Sequence, residues 1–244
     1  MIQHVRQATW TTTYLELGQT DIVLYEVMHS MVPPVAKALW RPRVFGLGNV
    51  PRQGAVILAS NHLSFVDSVV IPVLVPRKVV FLAKSDYFDG TGVKGALSRS
   101  WFEGLGMLPV DRDNSSSAMH SLETALTVLA RGEAFGIYPE GTRSRDGRLY
   151  RGRTGIGHLV LTSGAPVVPV GLRGTEHIQP VGARLPKLAN VEVRFGEPLH
   201  FGAEYADMPT GRARREITDA VMHQIAILSG QTEAGVYNER PPDA

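Results

Sequence analysis

The sequence predicts an α/β sandwich, in which helices pack on a largely parallel or mixed central sheet of about seven strands. Short apolar runs of strand length alternate along the chain with longer segments of helical periodicity, which is typical of this fold class. One run, residues 55–60, is apolar at nearly every position, as expected of a buried strand. The 244 residues contain no linker, low-complexity tract or internal repeat, so we expect one domain.

Seven strands and six helices are predicted in alternating order. The strands are expected near residues 43–46, 55–60, 79–83, 107–110, 134–138, 167–171 and 191–196. The helices are expected near residues 21–32, 64–74, 93–105, 115–131, 154–163 and 211–229. The fourth helix is supported at its ends, because Asn114 or Ser115 can cap its start and Gly132 can close it. The last helix carries an apolar stripe formed by Ile217, Val221, Ile225 and Leu228.

The N-terminal segment is the candidate membrane contact. No apolar run approaches the roughly 20 residues that span a bilayer, and the first 20 residues have no signal-peptide pattern. Apolar residues recur at helical spacing over residues 22–40 and are followed by Arg41 and Arg43. Such an amphipathic helix either lies in a membrane interface or packs its apolar face on the core. We therefore divide the chain into three parts, a helical docking segment (1–42), an α/β domain (43–230) and a loosely held tail (231–244).

Composition excludes several classes of site. The chain has no cysteine, which excludes disulfides, thiolate metal sites and cysteine nucleophiles and fits a reducing compartment. The formal net charge of +2 is too small to indicate binding of nucleic acid. The arginines are unevenly placed, because five of them crowd residues 143–153 with only Asp146 opposing them. This cluster is either a solvated loop or a site for phosphate or an anionic surface.

His62 and Asp67 form the candidate catalytic pair. They follow the buried run 55–60, so they are expected where a strand ends and a helix begins. Histidine accepts a proton near neutral pH, and a carboxylate on its second nitrogen fixes the tautomer and stabilises the imidazolium. Residues five apart diverge on one regular helix, so we expect Ser64 to cap a helix that starts at Phe65. In the alternative, the aspartate only satisfies backbone donors of a capping box.

A second block, residues 106–112, is predicted to end a strand with Asp111 and Arg112. Ligands of parallel sheets bind beyond the carboxyl ends of the strands, and a guanidinium fork suits two phosphate oxygens at once. The alternative is an Asp-Arg pair that only closes a loop.

A third block, residues 138–145, is predicted to be a turn after a strand. Gly141 exposes backbone N–H groups, and Arg143 and Arg145 add positive charge beside them, a combination that can cradle a phosphate. Glu140 is a candidate partner for a hydroxyl or a basic group. The alternative is a plain polar turn.

A fourth block, residues 167–172, is apolar and carries no reactive group. A core strand is the better interpretation, and an acyl tunnel lined by Val168, Pro169 and Val170 is the alternative. The sequence lacks a G-x-S-x-G nucleophile elbow, a P-loop, a G-x-G-x-x-G loop and an H-E-x-x-H metal pair. We therefore expect a base that activates a substrate hydroxyl, without a metal.

These four blocks, in this order, resemble the motifs of the 1-acyl-sn-glycerol-3-phosphate acyltransferase family of glycerolipid acyltransferases. The family pattern is N-H-x-[ST]-x-x-D, a strand ending V-D-R, then [FY]-P-E-G-T-R-S and V-P-V-[GA]. The chain matches it at residues 61–67, 110–112, 138–144 and 168–171. It is also similar in carrying Lys84 after a strand, whereas Tyr138 stands where phenylalanine is more usual. The resemblance covers most of residues 43–172.

The resemblance implies an O-acyltransferase that moves a fatty acyl group from a thioester of coenzyme A or acyl carrier protein to a free hydroxyl of lysophosphatidic acid. His62 would be the general base and Asp67 the residue that orients it. The family positions tied to the acceptor phosphate and hydroxyls are Lys84, Arg112, Glu140, Gly141, Thr142 and Arg143. The product would be phosphatidic acid, and direct transfer agrees with the missing nucleophile.

The resemblance also implies partners and a location. The chain would use the acyl thioester as co-substrate, need no cofactor, contact a membrane surface and bind no nucleic acid. It would be peripheral at the cytoplasmic face of the cell membrane. Three alternatives remain open: the same chemistry on glycerol 3-phosphate, another lysophospholipid or a glycolipid; a lipid hydrolase; and a non-catalytic lipid-binding domain.

Overall fold

A seven-stranded sheet forms the centre of the computed structural model, which describes Pro34 and residues 40–110, 115–180, 187–205 and 207–239. The strands are β1 (Arg43–Phe45), β2 (Val56–Ser60), β3 (Val79–Lys84), β4 (Met107–Val110), β5 (Ala134–Ile137), β6 (Val167–Arg173) and β7 (Glu192–Phe195). Their order across the sheet is β1-β7-β6-β2-β5-β3-β4. Strands β6 and β7 run antiparallel, and all other neighbours run parallel. The predicted α/β fold with a mixed sheet is therefore confirmed.

Helices cover both faces of this sheet. They are α1 (Asp67–Leu74), α2 (Gly92–Gly104), α3 (Ser115–Ala130), α4 (Gly155–Ser163), α5 (Thr175–Ile178) and α6 (Thr210–Ser229). Single turns of 3₁₀ helix lie at Leu47–Asn49, Ser85–Tyr87 and Ala203–Tyr205. Five of the six predicted helices are present, and the one expected at 21–32 lies outside the described residues. The four-residue helix α5 was not predicted, because it is too short to show a period.

The central strand β2 contributes side chains to two hydrophobic clusters, one on each face of the sheet. All five of its residues are fully buried, and successive side chains of a strand point to opposite faces. Val56 and Leu58 pack in one hydrophobic cluster with residues of α1 and α2. Ile57 and Ala59 pack in the other with residues of α3, α4 and α6. The continuous apolar run therefore places β2 between two helical layers, with the residues after it at the edge of the sheet.

The C-terminal segment, which we define as residues 231–239, corrects one prediction. A loosely held tail was expected from residue 231, but the segment lies along residues 147–153. The backbone N–H of Leu149 donates to Thr232 O at 3.0 Å, and that of Arg151 donates to Val236 O at 2.9 Å. In return Ala234 N donates to Leu149 O at 2.8 Å. These partners are some 85 residues upstream, so polar composition alone gave the wrong expectation.

None of the helices in the described part of the chain is both long and apolar enough to cross a membrane. The docking helix predicted within residues 22–40 lies almost wholly outside the described residues, so it stays a prediction.

Candidate active site

Several of the predicted site residues lie at one edge of the sheet. Strands β2, β5, β3 and β4 are neighbours and run parallel, so their carboxyl ends share an edge. His62 follows β2, Tyr138 follows β5, and Lys84 ends β3. Arg112 follows β4 but lies outside the described residues, so its role stays a prediction. Ligands of open parallel sheets bind at this edge.

Asn61 connects the buried strand β2 to the site. Its side chain is fully buried and makes the hydrogen bonds that one more residue of β2 would make with β6. The amide nitrogen Nδ2 donates to Leu172 O at 2.9 Å, and Oδ1 accepts from Leu172 N at 2.8 Å. Because the side chain continues the hydrogen bonding of the strand, the main chain is able to turn away at this point. That turn brings the next residue, His62, to the sheet edge.

The His62–Asp67 pair is formed in the structure. One carboxylate oxygen of Asp67, Oδ2, lies 2.9 Å from His62 Nδ1 and also accepts from the backbone N–H groups of Leu63 and Ser64 at 2.7 and 2.8 Å. Both alternatives raised for this aspartate therefore hold at once: it satisfies backbone donors and it contacts the histidine. The predicted cap at Ser64 is wrong, because α1 begins at Asp67 and the Ser64 hydroxyl donates to Gln179 O.

This geometry suits a general base. The Asp67 side chain is fully buried, whereas the His62 side chain is 14% exposed. A carboxylate that accepts from the Nδ1 proton fixes the tautomer in which Nε2 carries the lone pair. The second carboxylate oxygen, Oδ1, is buried without a hydrogen-bond partner among the described residues, so the charge is directed to the His62 turn.

The imidazole of His62 stacks on the aromatic rings of Tyr138 and Phe81. The His62 ring lies on Tyr138 with centroids 3.8 Å apart, and Tyr138 in turn lies 5.4 Å from the ring of Phe81. The Tyr138 hydroxyl is 2.9 Å from the hydroxyl of Ser68, in the first turn of α1. Phe81 fits because Gly136 has no side chain: a Cβ there would collide with the phenyl ring. The height of the His62 ring above the sheet is therefore set by this stack.

Glu140 holds the turn that carries His62. It is fully buried, and its two oxygens accept from the backbone N–H groups of His62 at 3.1 Å and Tyr150 at 2.9 Å. Burial raises its pKa to about 7; these two hydrogen bonds oppose the rise, and the nearby carboxylates of Asp67 and Asp146 add to it. The burial of Glu140 and its two backbone hydrogen bonds favour a structural role, and the sequence interpretation, a partner for a hydroxyl or a basic group, stays a prediction.

The turn after Glu140 is open to solvent beside the histidine. Gly141 has a φ of +80°, a left-handed conformation that glycine adopts without steric cost, and its N–H donates to Tyr138 O at 3.0 Å. Ser144 N donates to His62 O at 2.8 Å, which joins this turn to the turn that contains His62. Thr142 is half-buried, and Arg143 is exposed. A phosphate could therefore reach this turn from solvent.

Two other sets of predicted site residues have different surroundings. Lys84 is partly exposed, and its Nζ lies 2.6 Å from Asp86 Oδ2. Val168 and Val170 are fully buried in the hydrophobic core, and Pro169 between them is buried as well. The structure thus favours the core-strand interpretation of this block, and a tunnel along it finds no support among the described residues.

Sequence reasoning missed the contribution of Gln231. Its Oε1 accepts from Asn61 Nδ2 at 2.7 Å, and its Nε2 donates to Gly147 O at 2.8 Å. Gln231 thereby joins the C-terminal segment to Asn61, directly before His62, and to the loop that follows Arg143. No local pattern marks a glutamine after a helix as part of a site 170 residues upstream. Among the described residues, no three acidic or histidine side chains are grouped to hold a metal ion.

Comparisons with known proteins identify the family of this chain. A family model described as Acyltransferase matches residues 41–173, a span that contains all four blocks. The chain is 28% identical over 193 residues to the 1-acyl-sn-glycerol-3-phosphate acyltransferase of Bacillus subtilis, covering 78% of this chain and 89% of that protein. It is 27% identical over 225 residues to the chloroplastic 1-acyl-sn-glycerol-3-phosphate acyltransferase LPAT1 of Arabidopsis thaliana, covering 88% of this chain and 61% of that protein.

A solved structure supports the fold. The chain is similar to the crystal structure of the 1-acyl-sn-glycerophosphate acyltransferase PlsC from Thermotoga maritima, with a TM-score of 0.63 and 20% sequence identity. The similarity covers 92% of this chain and 90% of that one.

Proposed function

This chain belongs to the Acyltransferase family, and from this premise we propose that it is a 1-acyl-sn-glycerol-3-phosphate acyltransferase, which converts lysophosphatidic acid to phosphatidic acid. The acyl donor is a thioester of coenzyme A or acyl carrier protein. The observation that carries this proposal is the 2.9 Å contact between His62 Nδ1 and Asp67 Oδ2 at the edge of the sheet. The pair has the form of a base with an orienting carboxylate, which suits activation of a hydroxyl.

The proposed reaction has two proton transfers. Nε2 of His62 takes the proton of the acceptor hydroxyl as its oxygen attacks the thioester carbonyl carbon. Asp67 stabilises the imidazolium that forms, through the existing hydrogen bond at Nδ1. The tetrahedral intermediate then expels the thiolate, which receives the proton back from the imidazolium. The net result is one new ester and one free thiol, with the enzyme unchanged.

The acceptor phosphate is proposed to bind at the turn next to the histidine. The hydroxyl of Thr142 is a polar donor there, and Arg143 supplies positive charge. Lys84, at the end of β3, and Arg112, after β4, would add charge from the same edge. Glu140 is assigned a different role, in which it positions the backbone of His62.

The location is also part of the proposal. A lysophospholipid acceptor is a membrane component, so the chain would work as a peripheral protein at the cytoplasmic face of the cell membrane. The docking segment of residues 1–42 would supply the contact. Flotation of the full chain with lipid vesicles checks this, and a protein that stays at the bottom of the gradient with every lipid composition contradicts it.

The test of function is product analysis by mass spectrometry. Purified protein is given lysophosphatidate with acyl-CoA or acylated carrier protein, and a parallel panel contains glycerol 3-phosphate, other lysophospholipids and a glycolipid. We expect phosphatidate and free thiol, with His62→Ala slower by roughly 10² to 10⁴ because general-base help is lost. His223→Ala, an exposed histidine on α6, is the control and should match the wild type.

Three results contradict the proposal in different ways. Equal rates for His62→Ala and wild type remove the base from the mechanism. Free fatty acid without ester indicates a lipid hydrolase. Ester formation only on another acceptor keeps the chemistry and replaces the substrate.

A further inference from the structure

Positive charge in the arginine loop, which we define as residues 143–153, is mostly uncompensated. Arg148 is the exception, since its Nε lies 2.7 Å from Asp146 Oδ2. Among the described residues, no carboxylate pairs with the other four arginines of the loop, Arg143, Arg145, Arg151 and Arg153, all of which are exposed. Like charges held this close together repel, and a bound anion removes the repulsion.

Arg153 is the member of this group that is fixed against the turn at Gly141. Its backbone N–H donates to Pro139 O at 2.8 Å, in the turn that leads to Gly141. Its side chain lies directly over that glycine, because a Cβ at position 141 would be only 3.0 Å from Arg153 Nε. The guanidinium therefore stands beside the backbone that is proposed to receive the phosphate.

The C-terminal segment holds this side chain in place. Arg153 Nη2 donates to Asn238 O at 3.2 Å, and the guanidinium lies 5.7 Å from the ring centre of Tyr237. The same ring is 5.3 Å from the guanidinium of Arg151, and Asn238 Nδ2 donates to Arg143 O at 3.0 Å. Two adjacent residues of the segment thus order three arginines of the loop.

We propose that Arg153, held by Tyr237 and Asn238, is a further phosphate-binding residue of this site and recognises a phosphate monoester. A guanidinium has five N–H donors and only one of them is used by Asn238, so others can serve the anion. The inference rests on the proposed function. Two substrates of that reaction carry a phosphate monoester, the lysophosphatidate acceptor and the ribose of coenzyme A, and the experiment distinguishes them.

The experiment compares substrates that differ by one phosphate. Arg153→Gln, Arg153→Lys and Tyr237→Leu are assayed with lysophosphatidate against monoacylglycerol, and with acyl-CoA against acyl-dephospho-CoA. Arg212→Gln is the control, because this exposed arginine pairs with Glu216 on α6. We expect Arg153→Gln to lower kcat/KM roughly 10- to 100-fold, through KM, for the substrate whose phosphate is bound. The analogue without that phosphate should show no such penalty.

The intermediate variants add a readout that a purely structural role would not give. Arg153→Lys keeps the charge without the fork and should recover part of the loss. Tyr237→Leu should raise the same KM by about fivefold while leaving kcat near wild type.

Each outcome either supports or contradicts a phosphate-binding role for Arg153. A penalty confined to lysophosphatidate assigns the residue to the acceptor, and one confined to acyl-CoA assigns it to the donor; both support a phosphate role. Equal losses with and without the phosphate, or a fall in kcat alone, overturn it. If the wild type itself gives no ester, the proposed function fails separately. Thermal stabilisation by glycerol 3-phosphate that Arg153→Gln abolishes then supports the phosphate role, and stabilisation that is absent or unaffected overturns it.

Discussion

The imidazole of His62 lies flat on the phenol ring of Tyr138, with 3.8 Å between the centroids and 7° between the planes. The proposed base is therefore held on two sides, at its edge by Asp67 and on its face by an aromatic ring. An aromatic face also attracts a cation, so the ring would favour the imidazolium of the proposed proton transfer. The Tyr138 hydroxyl, 2.9 Å from Ser68 Oγ, connects this ring to the helix that begins at the aspartate.

Removing the aromatic face should slow the reaction. Tyr138→Leu is expected to lower kcat by roughly 5- to 30-fold, since about 1–2 kcal/mol of stabilisation of the imidazolium is lost. Tyr138→Phe keeps the ring, and Ser68→Ala removes the hydroxyl partner, so both should stay within about threefold of wild type. Steady-state kinetics and circular dichroism of the folded variants check this. If Phe and Leu behave alike, the ring face has no role.

Removing the charge at position 67 should be more costly. Asp67→Asn keeps the size of the side chain but loses the negative charge that selects the tautomer of His62. We expect kcat to fall roughly 10²- to 10⁴-fold with little change in the KM of either substrate. Asp219→Asn, an exposed aspartate that pairs with Arg215 on α6, is the matched control. A variant at position 67 with wild-type kcat is incompatible with the proposed mechanism.

Glu140 should make stability depend on pH in a defined window. Its pKa is about 7 in the folded protein against an ordinary value of 4.5, so the unfolded chain releases the proton first. The stability contributed by protonated Glu140 is present below about pH 4.5 and is lost as pH rises through about 7, on the order of 3 kcal/mol in all. Urea unfolding of wild type and Glu140→Gln at pH 5 and pH 7.5 measures this.

The comparison uses the difference between the two proteins, because their other titrating groups are shared. The wild type should lose stability between these pH values relative to Glu140→Gln. A parallel pH dependence of the two proteins would show that the glutamate does not titrate in this range.

Asn61 should matter for folding before it matters for chemistry. Asn61→Ala leaves the buried N–H and C=O of Leu172 without the partners they have now, at a cost of about 2–4 kcal/mol of unfolding free energy. Asn190→Ala, at an exposed asparagine, should change stability by about 0.5 kcal/mol or less. Urea denaturation gives both values, and a loss at position 61 as small as that at position 190 contradicts the strand-extension role.

Regular elements with local signals were predictable. The last helix was expected over 211–229 and is found at Thr210–Ser229, because an apolar stripe defines its face and Gly230 ends it. The strands were predictable because short apolar runs between helices have few other structures available to them. The largely parallel direction of the strands also followed from their alternation with helices, and it indicated the edge of the sheet at which the site lies.

The remaining features depend on contacts between distant parts of the chain. The spacing of His62 and Asp67 indicated their contact, but the start of α1 at the aspartate did not follow from it, because Ser64 uses its hydroxyl on Gln179. Burial of Glu140 between two backbone amides needs the loop at Tyr150 to fold back on it. The C-terminal segment is ordered by contacts with Asn61, Arg143 and residues 147–153, all of which lie far from it in sequence.

Because glycine has no side chain, position 136 limits which substitutions this enzyme can accept. Phe81 fills the space above it, Tyr138 rests on Phe81, and His62 rests on Tyr138. A methyl group added at position 136, on the strand next to the one that leads to His62, would displace the whole column of stacked rings and shift the imidazole. Libraries that seek altered chain-length or headgroup preference should therefore keep position 136 constant and diversify around the column.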